Sequence, residues 1–288
     1  MPSPSTSRPG KVEFKRWLFA PPRPHGAVIK DRTVSNLELF YDLVYVAVIG
    51  AASTHLAADI SVRGFAEFAI VFGMVWFAWF NGSMYVELHG REDGRTRLLV
   101  FLQMGILALV AVFTAGAAGS TGGQFAITYA AFLAVMTWQW WRVRELDRTD
   151  RPQYLSVTFF YVVAMVVSTV VVAVSAVLPT DPRLAVWAAF AIAWVIHIEL
   201  AGRVRRGGIS EAIQPTESLV ERYGAFTIIV LGEVILGVVS GLRGAELDAL
   251  AILTGMLALV IGLAILSALW FFAVAWLIRA GSWGAATS

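Results

Sequence analysis

Apolar residues in this chain come in long runs separated by short polar stretches. Eight runs stand out, at 36–57, 65–87, 98–118, 124–142, 154–178, 184–202, 217–241 and 249–279. About 20 mainly apolar residues carry a helix across the hydrocarbon core of a bilayer, so each run suffices for one crossing. None alternates with the period of two that marks a membrane β-barrel strand, and all are too long for one. The pattern predicts an all-α fold, a polytopic transmembrane bundle of about eight spans. The last run is long enough to tilt or to extend past the bilayer. No internal repeat is apparent.

The polar connections are not alike. Those at 88–97, 143–153 and 203–216 hold Arg91, Arg95, Arg97, Arg144, Arg148, Arg151, Arg203, Arg205 and Arg206, whereas the opposite set holds Arg63, Arg183 and Arg243. Basic loops stay in the cytoplasm. An eight-span path therefore puts both termini on the cytoplasmic side, and every loop agrees with it. Residues 1–34 read as a flexible, basic, proline-rich cytoplasmic tail, 35–280 as the helical domain and 281–288 as a short C-terminal tail. Trp17 to Ala20 is too short for a signal-peptide core, and Pro21-Pro22 ends it. Trp17, Leu18 and Phe19 stand beside basic residues and are candidates for contact with the membrane surface.

Composition narrows the function classes. Only 15% of residues are charged, against about 25% in a soluble domain. A net charge of +2 gives no reason to expect nucleic acid as a partner, and the absence of cysteine excludes thiolate and disulfide chemistry. Four scattered histidines form no metal motif. There is no Gly-x-Ser-x-Gly elbow, no His-Glu-x-x-His and no phosphate loop, so neither an enzyme nor a cofactor site is expected. The partners expected are the lipid bilayer and a small solute or ion.

Charges inside the apolar runs are the informative residues, because they persist there mostly when paired, hydrated or functional. Ser35-Asn36-Leu37-Glu38 and Ser218-Leu219-Val220-Glu221 both have the form of a capping box. Asp42 lies one turn beyond Glu38 on the same face, about 10 Å inside the helix start. An unpaired carboxylate there costs on the order of 3 kcal/mol. Arg222, on a span that starts from the same side, is its expected partner. His197 and Glu199 fall at a similar depth on the sixth span. Glu233 lies about 16 Å beyond Arg222, in the outer half, where Glu67 and His55 mark the outer interface. These positions make two layers: Glu38, Asp42, His197, Glu199, Glu221 and Arg222 inside, and Glu233 with Glu67 and His55 outside. They read either as a polar path through the bundle or as ion pairs that fix helix packing.

Other positions have plainer readings. Asn81 is a buried amide able to bridge helices. Trp138, Trp140 and Trp141 beside Arg142, and Trp79 with Phe80, read as interfacial aromatic residues. The stretch 85–93 reads as a solvated or salt-bridged loop. Gly237-x-x-x-Gly241 suits close helix approach.

Two stretches carry a resemblance. Glu38-Leu-Phe-Tyr-Asp-Leu-Val-Tyr-Val46 and Glu221-Arg-Tyr-Gly-Ala-Phe-Thr-Ile-Ile-Val-Leu-Gly-Glu233 resemble the first-span and late-span motifs of the low temperature requirement A family of bacterial membrane proteins. Trp79-Phe-Asn81 and His89-Gly-Arg-Glu-Asp93 also fit that family. The resemblance implies a multi-pass protein of the bacterial plasma membrane and directs attention to Asp42, Glu221, Arg222 and Glu233, without supplying a substrate or cofactor. Longer relatives carry further apolar segments after this point. The expected function is a transporter or channel-like protein for a small solute or ion, with proton coupling; the alternative is a non-transporting sensor or scaffold in cold adaptation.

Overall fold

A computed structural model describes residues 21–25, 27, 34–91, 93–204, 217–243, 248–250, 252–257, 259–260 and 262–264, without the side chains of 198–204 and 217. Among these residues the fold is all helical. The helices are α1 (Asn36–Ala58), α2 (Val62–His89), α3 (Gly94–Thr114), α4 (Gly122–Asp150), α5 (Leu155–Ser175) behind a 3-10 turn at Pro152–Tyr154, α6 (Thr180–Val204) and α7 (Glu217–Arg243). Five of them, α1, α2, α3, α5 and α7, are long and apolar enough to cross a membrane. Helices α4 and α6 are of similar length but carry more polar groups, such as Gln124 and Gln139 in α4 and Arg183 and His197 in α6. Of the eighth expected span, helical residues lie within Ile252–Ala264. The remainder of that span, residues 281–288 and the Trp17–Phe19 stretch lie outside the described residues.

Helix ends follow from local chemistry. Ser35 caps α1: its hydroxyl accepts the Glu38 N–H at 3.3 Å, and the Glu38 carboxylate accepts the Ser35 N–H at 3.4 Å, completing the expected capping box. Asp93 caps α3 by accepting the Thr96 N–H at 2.8 Å. Two connections expected as loops are largely helical instead. Helix α2 runs through His89, and α4 continues to Asp150. Glu87 and His89 are buried rather than solvated, because other segments fold over them.

Six helices close a ring in the order α1, α3, α4, α5, α6, α2, with α2 also touching α4 across the middle. Helix α7 lies outside the ring on α1 and α2. The core is aromatic: Trp79, Trp187, Tyr41, Tyr45, Tyr129, Phe125 and Phe132 are all fully buried. Only a small part of α7 is buried by protein, so its apolar outer face suits lipid.

Part of the basic tail is fixed rather than free. Arg23 and His25 are both buried. The Arg23 guanidinium sits on the last turn of α2, donating to Gly90 O at 2.5 Å, Val86 O at 3.3 Å and Glu87 O, and to Ala27 O at 3.2 Å. Val86 O also accepts the Gly90 N–H at 2.9 Å, whereas the Glu87 and Gly90 carbonyls lie at the helix end, where a guanidinium satisfies them well. His25 Nδ1 lies 2.9 Å from Asp147 Oδ1 on α4, and Thr158 of α5 donates to Asp147 Oδ2 at 2.6 Å. His89 Nδ1 donates to Arg23 O at 2.8 Å, and its ring meets that of His25 edge-on at 4.6 Å. This segment bolts together the ends of α2, α4 and α5.

Arg23→Ala strips several buried carbonyls of their donor, so it should lower stability by about 2–4 kcal/mol. Thermal unfolding of the detergent-solubilised protein measures this. An unchanged midpoint would show that the segment does not hold the helices.

Candidate functional site

The site begins at the buried face of α1. Glu38, Tyr41, Asp42, Tyr45, Ile49 and Ala52 recur at helical spacing and are all buried. From α7, Leu219, Arg222, Tyr223 and Phe226 form the matching stripe. Arg222 grips Asp42 with two bonds, Nη2 to Oδ1 at 2.8 Å and Nε to Oδ2 at 3.1 Å. Such fork-to-carboxylate geometry is both strong and directional. Trp79 of α2 donates its indole N–H to Asp42 Oδ1 at 2.8 Å. Glu38 Oε2 lies 3.5 Å from Arg222 Nη1, and the guanidinium stands 5.8 Å from the centre of the Tyr41 ring. Asp42 is 0% exposed and Arg222 2%. The expected pairing is therefore present, three helices meet at it, and it is sealed from solvent.

Trp79 is the residue the sequence reading missed. An indole in an apolar run reads as interfacial, yet this one is fully buried, stacked on Phe226 at 4.2 Å and edge-on to Tyr223 at 4.8 Å. The available signal was its unmatched N–H, which a buried tryptophan has to place.

Beyond the ion pair, the Tyr41 and Tyr45 hydroxyls are 3.1 Å apart. About 12 Å along α1 from Asp42 comes Gly50, against which Glu233 of α7 packs. A methyl group at Gly50 would fall 2.5 Å from Glu233 Oε1, so any larger residue there obliges the Glu233 carboxylate to move. Because Asp42 meets Arg222 and Gly50 meets Glu233, α1 and α7 run parallel. Glu233 is half-buried, and among the described residues no cation or hydrogen-bond donor pairs with it. The outer group is separate. His55 Nε2 lies 2.8 Å from Glu67 Oε2, and Arg63 joins Glu67 at 2.9 Å and Asp181 at 2.7 Å.

The remaining candidates sit elsewhere. Glu221 is exposed and outside the cluster. Helix α7 already starts at Glu217, so Ser218 does not cap it; the Ser218 hydroxyl lies 3.0 Å and 3.1 Å from the two Glu87 carboxylate oxygens. His197 packs on Trp194 at 5.1 Å and Tyr161 at 5.9 Å, between α5 and α6 rather than at Asp42. The side chain of Glu199 lies outside the described residues. Asn81 does bridge helices: it accepts from Trp140 Nε1 at 2.8 Å and donates to Met165 Sδ at 3.2 Å. Trp140 is consequently buried, unlike Trp138 and Trp141, which are exposed as expected at an interface. Around Gly237 and Gly241 no described atom lies within 4 Å of a methyl group, so the close helix contact expected there is not formed among the described residues.

Two comparisons bear on these residues. The family model for the bacterial low temperature requirement A protein matches residues 33–278, which include all of α1, α2 and α7. The chain belongs to this family. An uncharacterized protein of Rhizobium meliloti (strain 1021) is 27% identical over 217 residues, covering 72% of this chain and 51% of that protein. The chain thus spans about half the length of the curated relative it matches. No solved structure matches. Family membership and five membrane-length helices make this an integral membrane protein.

Asp42→Ala and Arg222→Ala should each destabilise the fold by about 3–5 kcal/mol, because each strands the other's buried charge. The double variant should cost less than their sum. Additive losses in denaturant titrations would refute the coupling.

Proposed function

We propose that this member of the low temperature requirement A family is a transporter or channel-like protein for a small ion or solute, coupled to protons. In this reading Glu233 is the exchanging carboxylate and Asp42–Arg222 the fixed joint between α1 and α7. One observation carries it: Glu233 rests against the backbone of Gly50, half-buried at mid-helix, with no cation or donor on it among the described residues. A carboxylate so placed has reason to take up a proton or a cation, since leaving it charged and dry is costly. Tyr41 and Tyr45 flank Asp42 along α1, their hydroxyls 3.1 Å apart, so polar groups recur along α1 from Glu38 to His55.

We also infer eight crossings of the bacterial plasma membrane with both termini in the cytoplasm, from the arginine bias of the loops. A second reading, a sensor or scaffold, is favoured by the closed hydrogen bonding of Asp42, which leaves its carboxylate nothing to exchange in this conformation.

Liposomes containing the purified protein and a trapped pH dye test the proposal. An imposed pH gradient should collapse at least tenfold faster than in empty liposomes, and Glu233→Gln should abolish the difference. Collapse at the empty-liposome rate, or Glu233→Gln behaving as wild type, would turn the assignment to the scaffold reading.

A further inference from the structure

The groove between α1 and α2 is filled at one end and open at the other. On α1, Asp42, Ile49, Ser53, Leu56 and Ile60 share a face, and on α2 Trp79, Phe72 and Phe65 share another. Near Asp42 and Trp79, helix α7 closes the groove with Arg222, Tyr223 and Phe226. Beyond Glu233 it leaves the groove open. A cavity of about 630 Å³ lies there; α1 walls it with Ser53, Leu56 and Ala57, α2 with Val62 and Phe65, and the turn between them supplies the rest. Among the described residues none of α7 lines it. Leu236, Gly237 and Ser240, on the following turns of α7, are exposed.

The cavity begins one turn from an unpaired acid. Ser53 follows Gly50 by about 4.5 Å of helix rise, and its hydroxyl donates to Gly50 O at 2.8 Å. Gly50 is the residue on which the Glu233 carboxylate rests. The walls themselves are apolar and uncharged, and Ser61 is engaged in capping α2, accepting the Gly64 N–H at 3.0 Å. Basic groups nearby are committed or remote. His55 and Arg63 hold Glu67, and Arg63 also reaches Asp181. Arg243 lies about 15 Å beyond Glu233 along α7. Helix α1 ends at the cavity, so its last carbonyls, with exposed Asp59 after them, make the mouth electronegative.

An occupant must therefore bring apolar bulk and positive charge together. The volume suits a drug-sized molecule. A metal cation wants about six oxygen ligands, which these walls lack. We propose that the cavity binds a lipophilic organic cation, with its apolar groups against Leu56, Ala57 and Phe65 and its charge directed at Glu233. The Phe65 ring adds the aromatic surface that a diffuse cation prefers. This inference rests on the reading of Glu233 as an exchanging carboxylate and names the class of solute exchanged for the proton.

Equilibrium dialysis of the detergent-solubilised full chain with radiolabelled tetraphenylphosphonium tests this, with tetraphenylborate as the anion of the same shape. Wild type should bind the cation saturably above empty micelles and should not bind the anion. Glu233→Gln should weaken binding on the order of tenfold. Ala57→Trp, which fills the cavity and keeps the carboxylate, should weaken it by a similar factor. Phe65→Ala should weaken it about threefold, and secures the test if the tryptophan variant fails to fold. Glu221→Gln, an exposed acid on the same helix, should bind as wild type. Absence of saturable binding, equal binding of the two ions, or undiminished binding by folded Ala57→Trp would overturn the proposal. Dialysis involves no gradient, so it separates the two readings. Glu233-dependent collapse of a pH gradient without cation binding would overturn this inference and leave the proton reading standing. Glu233-dependent binding without collapse would uphold the site and overturn the coupling.

Discussion

A charge cannot be left bare in hydrocarbon, and the described architecture depends on how one such charge is housed. Asp42 is shut off from solvent on three sides by protein, with Arg222 supplying two N–H groups and Trp79 a third. Helix α7 stands outside the six-helix ring and is little covered by it. Its attachment therefore rests on a few residues: the guanidinium, the Tyr223 and Phe226 rings around Trp79, and the close approach of Glu233 to Gly50. In lipid, apolar surface gains nothing by leaving the membrane for protein, so polar bonds and tight packing decide which helices associate.

The two acids that α1 and α7 bring into the membrane are chemically alike and physically opposite. Asp42 is held in place by three donors. Glu233 rests against a glycine with no donor on it among the described residues. The first arrangement gives rigidity; the second leaves a carboxylate without a donor among the described residues. Their separation along one parallel helix pair keeps the two acids from sharing a bond.

The all-helical fold, five membrane-length helices and the Asp42–Arg222 pairing were legible in the sequence because they follow from the cost of polar groups in oil. A long apolar run must be a helix, and a buried carboxylate needs a cation at its own depth. Direction around a helix was less legible. Glu221 and Arg222 are neighbours in sequence yet differ by about 100° in facing, so the acid points outward while the arginine points in. His197 has the right depth but belongs to a helix that packs on α2 and α5. Trp79 and Trp140 hid their N–H donors inside apolar composition. Arg23 and His25 lay in a segment whose prolines and charges gave no sign of a docking site, because that site is assembled from the ends of three other helices.

This last contact constrains the order of assembly. His25 is made early, yet its partner Asp147 follows 122 residues later. Thr158, which completes the carboxylate's bonding, comes later still. During synthesis Arg23 can dock as soon as α2 is made, whereas His25 must wait until the fourth and fifth helices have left the ribosome. The His25–Asp147 contact is therefore a late event in biogenesis, made by a segment synthesised before α1.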